Sequence, residues 1–97
     1  MKKVSVHRSA RKEVSDVIAY LDEKAGERSG DAFFDELTSV LESLQTRYTS
    51  HHFYRGDIRR VNLKRFPYHV LYRVHPSTVR VLAIRHDHRH PDHGMNR

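Results

Sequence analysis

Hydrophobic and polar positions change their period along the chain, and each change marks an element. Val4-Ser5-Val6 alternates behind Lys2 and Lys3, as a short strand does. Ala10, Val14, Val17, Ile18, Leu21 and Ala25 then recur at three-and-four spacing, which places them on one helix face, with Ser9 as the predicted N-cap and Gly26 as the stop. Arg11, Lys12, Asp16, Glu23 and Lys24 occupy the opposite face. Beyond a polar connector from Glu27 to Gly30, a second stripe runs through Phe33, Leu37, Val40, Leu41, Leu44 and Tyr48, and Asp31 sits early, where the helix dipole favours an anion. Two amphipathic helices joined so closely predict an antiparallel hairpin.

From residue 51 the period falls to two. Val61 and Leu63 share one face of a strand between Asp57 and Leu63, opposite Arg60, Asn62 and Lys64. After a turn at Lys64-Arg65-Phe66-Pro67, Tyr68, Val70, Tyr72 and Val74 alternate with His69, Leu71 and Arg73. His75-Pro76-Ser77-Thr78 then turns the chain into Val79, Val81 and Ala83, alternating with Arg80, Leu82 and Ile84. These segments predict a three-stranded antiparallel meander. The fold class is therefore α+β: a short N-terminal strand, then an antiparallel helical hairpin packed on an antiparallel sheet.

The apolar face of the meander, Val61 to Ala83, is expected under the hairpin, because nothing else in the chain can cover it. The other face then points outward, carrying Arg60, Asn62, Lys64, His69, Arg73 and Arg80 beside Leu71, Leu82 and Ile84. A protein seldom leaves such aliphatic surface bare, so a cover is expected. It is either a partner or the polar tail, residues 86–97, folding back; without docking the end of that tail is expected to be mobile.

Composition narrows the picture. A chain of 97 residues predicts a single domain, 1–97, without room for a large enclosed active site. Cysteine is absent, which excludes disulfides, thiolate nucleophiles and cysteine-held zinc. No membrane span is present, and Met1-Lys2-Lys3 leads into a strand, not an apolar signal core, so a cytoplasmic protein is expected. Residues 1–50 hold eight Lys/Arg against nine Asp/Glu, a net of −1, whereas residues 51–97 hold ten against three, a net of +7. The natural partners of that half are polyanions or an acidic protein. His88-Arg89-His90-Pro91-Asp92-His93 is similar to the zinc motif of metallo-β-lactamase-type hydrolases, but only Gly94 to Arg97 follow it here, where that family needs further ligands far downstream. No metal site and no cofactor are expected.

The run Arg59-Arg60-Val61-Asn62-Leu63-Lys64-Arg65-Phe66-Pro67-Tyr68-His69-Val70-Leu71-Tyr72-Arg73-Val74, followed by Val79 to Pro91 with His86, Arg89 and Pro91, resembles the RelE/ParE superfamily of toxin–antitoxin toxins over nearly the whole chain. Ala10, Tyr20, Ala32, Phe33 and Leu44 look more like its ParE branch. The resemblance implies a type II toxin neutralised by a cognate acidic antitoxin in a hetero-oligomer, with DNA gyrase as the target or, in the alternative, ribosome-bound mRNA cleaved as an endoribonuclease would. If it is a nuclease, Arg60, His69, His86 and Arg89 are the catalytic candidates. Asn62 and His69 depart from the lysine and arginine of the best-known nuclease pattern, which favours gyrase. For target or antitoxin binding the candidates are Arg60, Lys64, Leu71, Arg73, Arg80, Leu82, Ile84 and Arg89. A further alternative is a small non-toxin nucleic-acid-binding module, which would lack a basic recognition helix here.

Overall fold

Seven elements follow one another in a computed structural model that describes residues 1–97: β1 (Lys3–Val6), α1 (Arg8–Lys24), α2 (Ser29–Arg47), β2 (Phe53–Arg55), β3 (Ile58–Asn62), β4 (Tyr68–Val74) and β5 (Thr78–His86). The helical hairpin and meander stand where the periodicity puts them. The first helix begins earlier than Ser9 predicts, because His7 caps it: its Nδ1 accepts the Ser9 backbone N–H at 3.0 Å. A ring nitrogen here does the work usually given to a hydroxyl or carboxylate.

The two helices meet closely at Gly30, where Asp22 Oδ1 accepts the Gly30 N–H at 2.8 Å. A Cβ at Gly30 would lie 2.7 Å from Ile18 Cγ2 and 2.9 Å from Ile18 O, so the contact requires glycine.

The sheet has five strands in the order β1-β5-β4-β3-β2 and is mixed. β3, β4 and β5 form the expected antiparallel meander. β2 adds a three-residue antiparallel edge, and β1 pairs parallel to β5, with Lys3 opposite Thr78 and Val6 opposite Val81. The parallel pairing is possible because the hairpin and strands β2 to β4 lie between the two strands and supply the crossover.

One irregularity decides which residues reach which face. Tyr72 pairs with Val81 while Leu71 pairs with Ala83, so Leu82 is an extra residue in β5. The bulge inverts the alternation beyond it. Val79, Val81 and Ile84 lie in the main core with Ala10, Phe33, Leu37, Leu44, Val70 and Tyr72, and Ala83 joins Ile58, Leu71 and Leu82 on the other face. This corrects two expectations, since strict alternation puts Ala83 under the hairpin and Ile84 outside. Tyr68 and Tyr72 are core residues as expected, with Tyr68 against the Phe33 ring at 5.4 Å and the Tyr72 hydroxyl donating to Tyr48 O at 2.8 Å.

The outward face is not bare. The tail folds back across it, Met95 packing on the Ile58, Leu71, Leu82 and Ala83 cluster and Gly94, at φ +82°, passing so close that a Cβ there would meet Ala83 Cβ at 2.9 Å. Leu71, Leu82 and Ile84, expected on an exposed patch, are all buried, the first two beneath the tail and Ile84 in the main core. Arg97 fastens the end by donating to Leu82 O at 3.1 Å and to Glu13 Oε1 at 2.8 Å.

Two substitutions test this packing. Gly30→Ala is expected to lower stability by about 1–3 kcal/mol through overpacking, and Met95→Ala by about 1–2 kcal/mol through loss of partly buried apolar contact. Both should appear as lower urea midpoints with unchanged slope; a neutral Met95→Ala would mean that the tail does not cover the sheet.

Candidate functional site

The outer sheet face gathers the basic residues that the sequence singles out, but it uses most of them internally. Arg85, on β5 just beyond the bulge, is 3% exposed. Its Nε donates to His69 Nε2 at 2.6 Å, and one terminal nitrogen donates to the carbonyls of His90, Pro91 and His93 at 3.2, 2.9 and 3.0 Å. The Tyr54 ring lies 5.0 Å from its guanidinium carbon.

A guanidinium only donates, so His69 Nε2 accepts, and its proton sits on Nδ1, which donates to Asp87 Oδ1 at 2.8 Å. Burial is the main cause that holds the His69 imidazole below its ordinary 6.5, with Arg60 and Arg85 adding to it against the opposing Asp87 bond. His69 is therefore neutral, enclosed and bonded at both nitrogens. Arg60 faces the same carboxylate at 3.6 Å and donates to Asn62 Oδ1 at 2.8 Å.

Glu13 of α1 is the second anchor. It accepts from Ile84 N–H, His93 Nε2 and Arg97, at 3.2, 2.5 and 2.8 Å. Burial acts to raise its carboxyl pKa, but the bonds from Arg97, His93 and Ile84 outweigh it and leave the group below 4.5. No three His, Asp or Glu side chains converge as metal ligands, and His93 is committed to Glu13.

Of the predicted catalytic residues, Arg60 and His69 thus belong to one network, whereas His86 and Arg89 stand apart from it. These two take no part in its hydrogen bonds but border a hollow of about 310 Å³ that Glu13 and Arg85 also line, with Asp16, Tyr20 and Tyr68, and the His86 ring meets Tyr68 edge-on at 5.2 Å. Among the predicted binding residues Lys64 and Arg89 are exposed, Arg73 is half-buried and bonds Asp57 at 3.0 Å, and Arg80 is half-buried beside Ser5.

The open apolar surface lies elsewhere. A groove of about 350 Å³ runs between β1 and the helices, lined by Val4, Val6, Val14, Phe34, Leu37 and Leu41. β1 is the end strand of the sheet, so one of its edges has no neighbouring strand. Phe34, 50% exposed on α2, was the available signal: it widens the helix stripe beyond what one core needs. Arg85 and Glu13 had no such signal, because a charged side chain beside polar neighbours does not announce its burial.

Two helices on one face of a five-stranded mixed sheet ending in a β-meander make the ParE/RelE fold. A solved structure described as the chromosomal ParDE TA system from P. aeruginosa contains a chain similar to this one, with a TM-score of 0.79 and 16% sequence identity, covering 89% of this chain and 96% of that one. No family model matches the sequence, and no curated protein matches it. No helix is long and apolar enough to cross a membrane.

The buried imidazole makes stability depend on pH. Because the folded state lowers the His69 pKa, the unfolded chain binds the extra proton first, so stability is full above pH 6.5 and falls as pH drops below it. His51, also lowered, acts in the same direction. His69→Gln, which keeps a donor for Asp87 and an acceptor for Arg85, should show a shallower loss of urea midpoint between pH 6.5 and 5; an unchanged pH profile would remove His69 from the cause.

Proposed function

We propose that this chain is the toxin of a type II toxin–antitoxin module, neutralised by an acidic antitoxin and arresting growth by inhibiting DNA gyrase. The observation that carries the reading is the ParE/RelE fold shared over 89% of the chain with a component of a ParDE TA system. The apolar groove supports the partner. An amphipathic segment laid there reaches Phe34, Leu37 and Leu41 with its apolar side and the free edge of β1 with its backbone; the groove's charged walls are Arg11 and Glu42, and the exposed Lys3 and Arg8 at the two ends of β1 tip the balance toward an acidic sequence. The neutralised outer face supports gyrase over RNA cleavage. A nuclease needs a base free to take the 2′-hydroxyl proton and several cations free for the phosphate, and here two of the four candidates are engaged, His69 bonded at both nitrogens and Arg60 held by Asn62 and Asp87, which leaves His86 and Arg89 alone.

Expression of the chain alone should arrest growth, and the purified protein should inhibit supercoiling by gyrase while transcripts stay intact. Ribosome-dependent transcript cleavage with unaffected supercoiling would establish the nuclease reading instead, and unimpeded growth with confirmed folded protein would sink the toxin assignment.

Phe34→Glu should keep growth arrest yet weaken antitoxin binding about tenfold or more, as loss of a buried aromatic anchor does, measured by calorimetry with the antitoxin. Arg89→Ala should lose growth arrest at an unchanged urea midpoint, since its exposed guanidinium is free to clamp a carboxylate or phosphate on the target. Arg28→Ala, in the helical connector, should behave as the parent; equal toxicity of the two variants would take Arg89 out of the site.

A further inference from the structure

Every side-chain bond that Arg85 makes ends on a neutral acceptor. Its Nε points at the lone pair of His69 Nε2, and one terminal nitrogen points at three carbonyls of the tail. The imidazole is the one acceptor in this set that a proton can remove. Nδ1 already carries the hydrogen that Asp87 accepts, so a second proton has only Nε2 to occupy. There it faces the Arg85 N–H across 2.6 Å, donor against donor and cation against cation. The bond cannot survive that proton.

The groups around the ring do not replace it. Arg60 of β3 stands 3.6 Å from Asp87 Oδ1, and Tyr54 of β2 lies 5.7 Å from the Arg60 guanidinium carbon and 5.0 Å from that of Arg85. Asp87, just past β5, is the one anion bonded to the ring, and it is shared with Arg60. Burial holds the docked ring below its ordinary 6.5 against the pull of Asp87, with Arg60 and Arg85 adding to it. Once water reaches the ring and the guanidinium turns away, its proton affinity returns toward the ordinary value. The open state therefore binds the proton more readily and gains population as pH falls below 6.5.

The tail is the part that can leave alone. It packs on the smaller of the two apolar clusters, Ile58, Leu71, Leu82 and Ala83, and contributes no residue to the main core under the helices. Apart from Arg85, it is fastened by Met95, by the pair of Arg55 with Asp92 at 2.7 Å, and by Glu13, which takes His93 and Arg97. The Arg55 pair is exposed and holds weakly. Glu13 keeps its charge well into acid, because its carboxyl sits below 4.5, and a proton on His93 tightens that contact. Mild acid thus acts at His69 and not at Glu13.

We propose that residues 88–97 form an acid-released cover: a proton on His69 Nε2 detaches Arg85, the tail lifts, and the patch of Ile58, Leu71, Leu82 and Ala83 opens while the helices and the main core stay folded. One proton drives the step, so the open fraction rises by at most about tenfold per pH unit. The device is independent of the toxin reading, and its test uses no growth measurement.

The chain carries its own reporter. It has two methionines and no cysteine; Met1 is almost fully exposed, and Met95 is partly buried on the patch. Brief treatment of the full chain with dilute hydrogen peroxide, from pH 7.5 to 5, converts each accessible thioether to its sulfoxide, and mass spectrometry gives the Met95 rate with Met1 as internal standard. Amide NMR peaks of α2 and β4 report the core in the same samples. The Met95-to-Met1 ratio should rise about fivefold or more as pH falls to 5, with the core peaks in place. His69→Gln, whose amide does not titrate, should flatten the rise. Asp87→Asn keeps an acceptor for Nδ1–H but removes the charge that favours the imidazolium, so it should move the rise to lower pH, and it serves even where His69→Gln does not fold. His90→Gln, on the exposed face of the tail, should behave as the parent. A flat ratio in the parent, a rise that comes only with loss of the core peaks, or an Asp87→Asn profile that coincides with the parent's would overturn the proposal.

Discussion

A guanidinium cannot shed its charge, so burying Arg85 obliges the molecule to surround it with acceptors. The acceptors are His69 on one side and three carbonyls of the tail on the other. No carboxylate touches Arg85. Its nearest compensation runs through the His69 ring to Asp87, an arrangement that works only while the imidazole stays neutral. Satisfying the tail carbonyls fixes the path of residues 90–93, and that path brings Met95 onto the aliphatic patch and Arg97 onto Glu13. One buried charge thereby converts a polar terminus into a layer of the fold.

What remains outside follows from that closure. The second half of the chain holds the positive excess, yet Arg85 lies inside and Arg60, Arg73 and Arg55 face Asp87, Asp57 and Asp92. The net charge overstates the free charge. Unspent recognition surface is concentrated at two places on opposite edges of the sheet, the apolar groove at β1 and a polar cleft between α2 and β3. Their chemistry contrasts: the cleft is walled by Arg60, Asn62 and Lys64, which the sequence places on the basic face, whereas the apolar groove lies apart from that face.

The sequence made the helices and the inward strand faces legible as far as Val81, because periods of 3.6 and 2 survive in Ala10 to Tyr48 and in Val61 to Val81. Beyond that point Val81-Leu82-Ala83-Ile84 is uniformly apolar, and no change of residue type marks where a bulge inserts the extra position. The exchange of Ala83 and Ile84 was therefore invisible. β2 is only Phe53-Tyr54-Arg55, too short for a period, and the cap at His7 uses a residue type with little capping signal. At the site, Arg60, His69 and Arg89 were recognisable as basic positions in a family-like run. The separation of Arg60 and His69 into one network from an exposed Arg89 was not, since it depends on a tail whose one apolar anchor, Met95, is surrounded by polar residues.

The parallel pairing of β1 with β5 links residues 75 positions apart, as in Lys3 opposite Thr78. Loop closure over that span is entropically expensive unless the intervening chain is already folded, because the cost rises with the logarithm of the loop length. The hairpin and the meander, built from nearer contacts, therefore form first, and β1 docks onto a finished β5. On a ribosome the order is stricter still. The first strand to be synthesised waits for the last one, and until residue 81 has emerged both its edges are open to another chain.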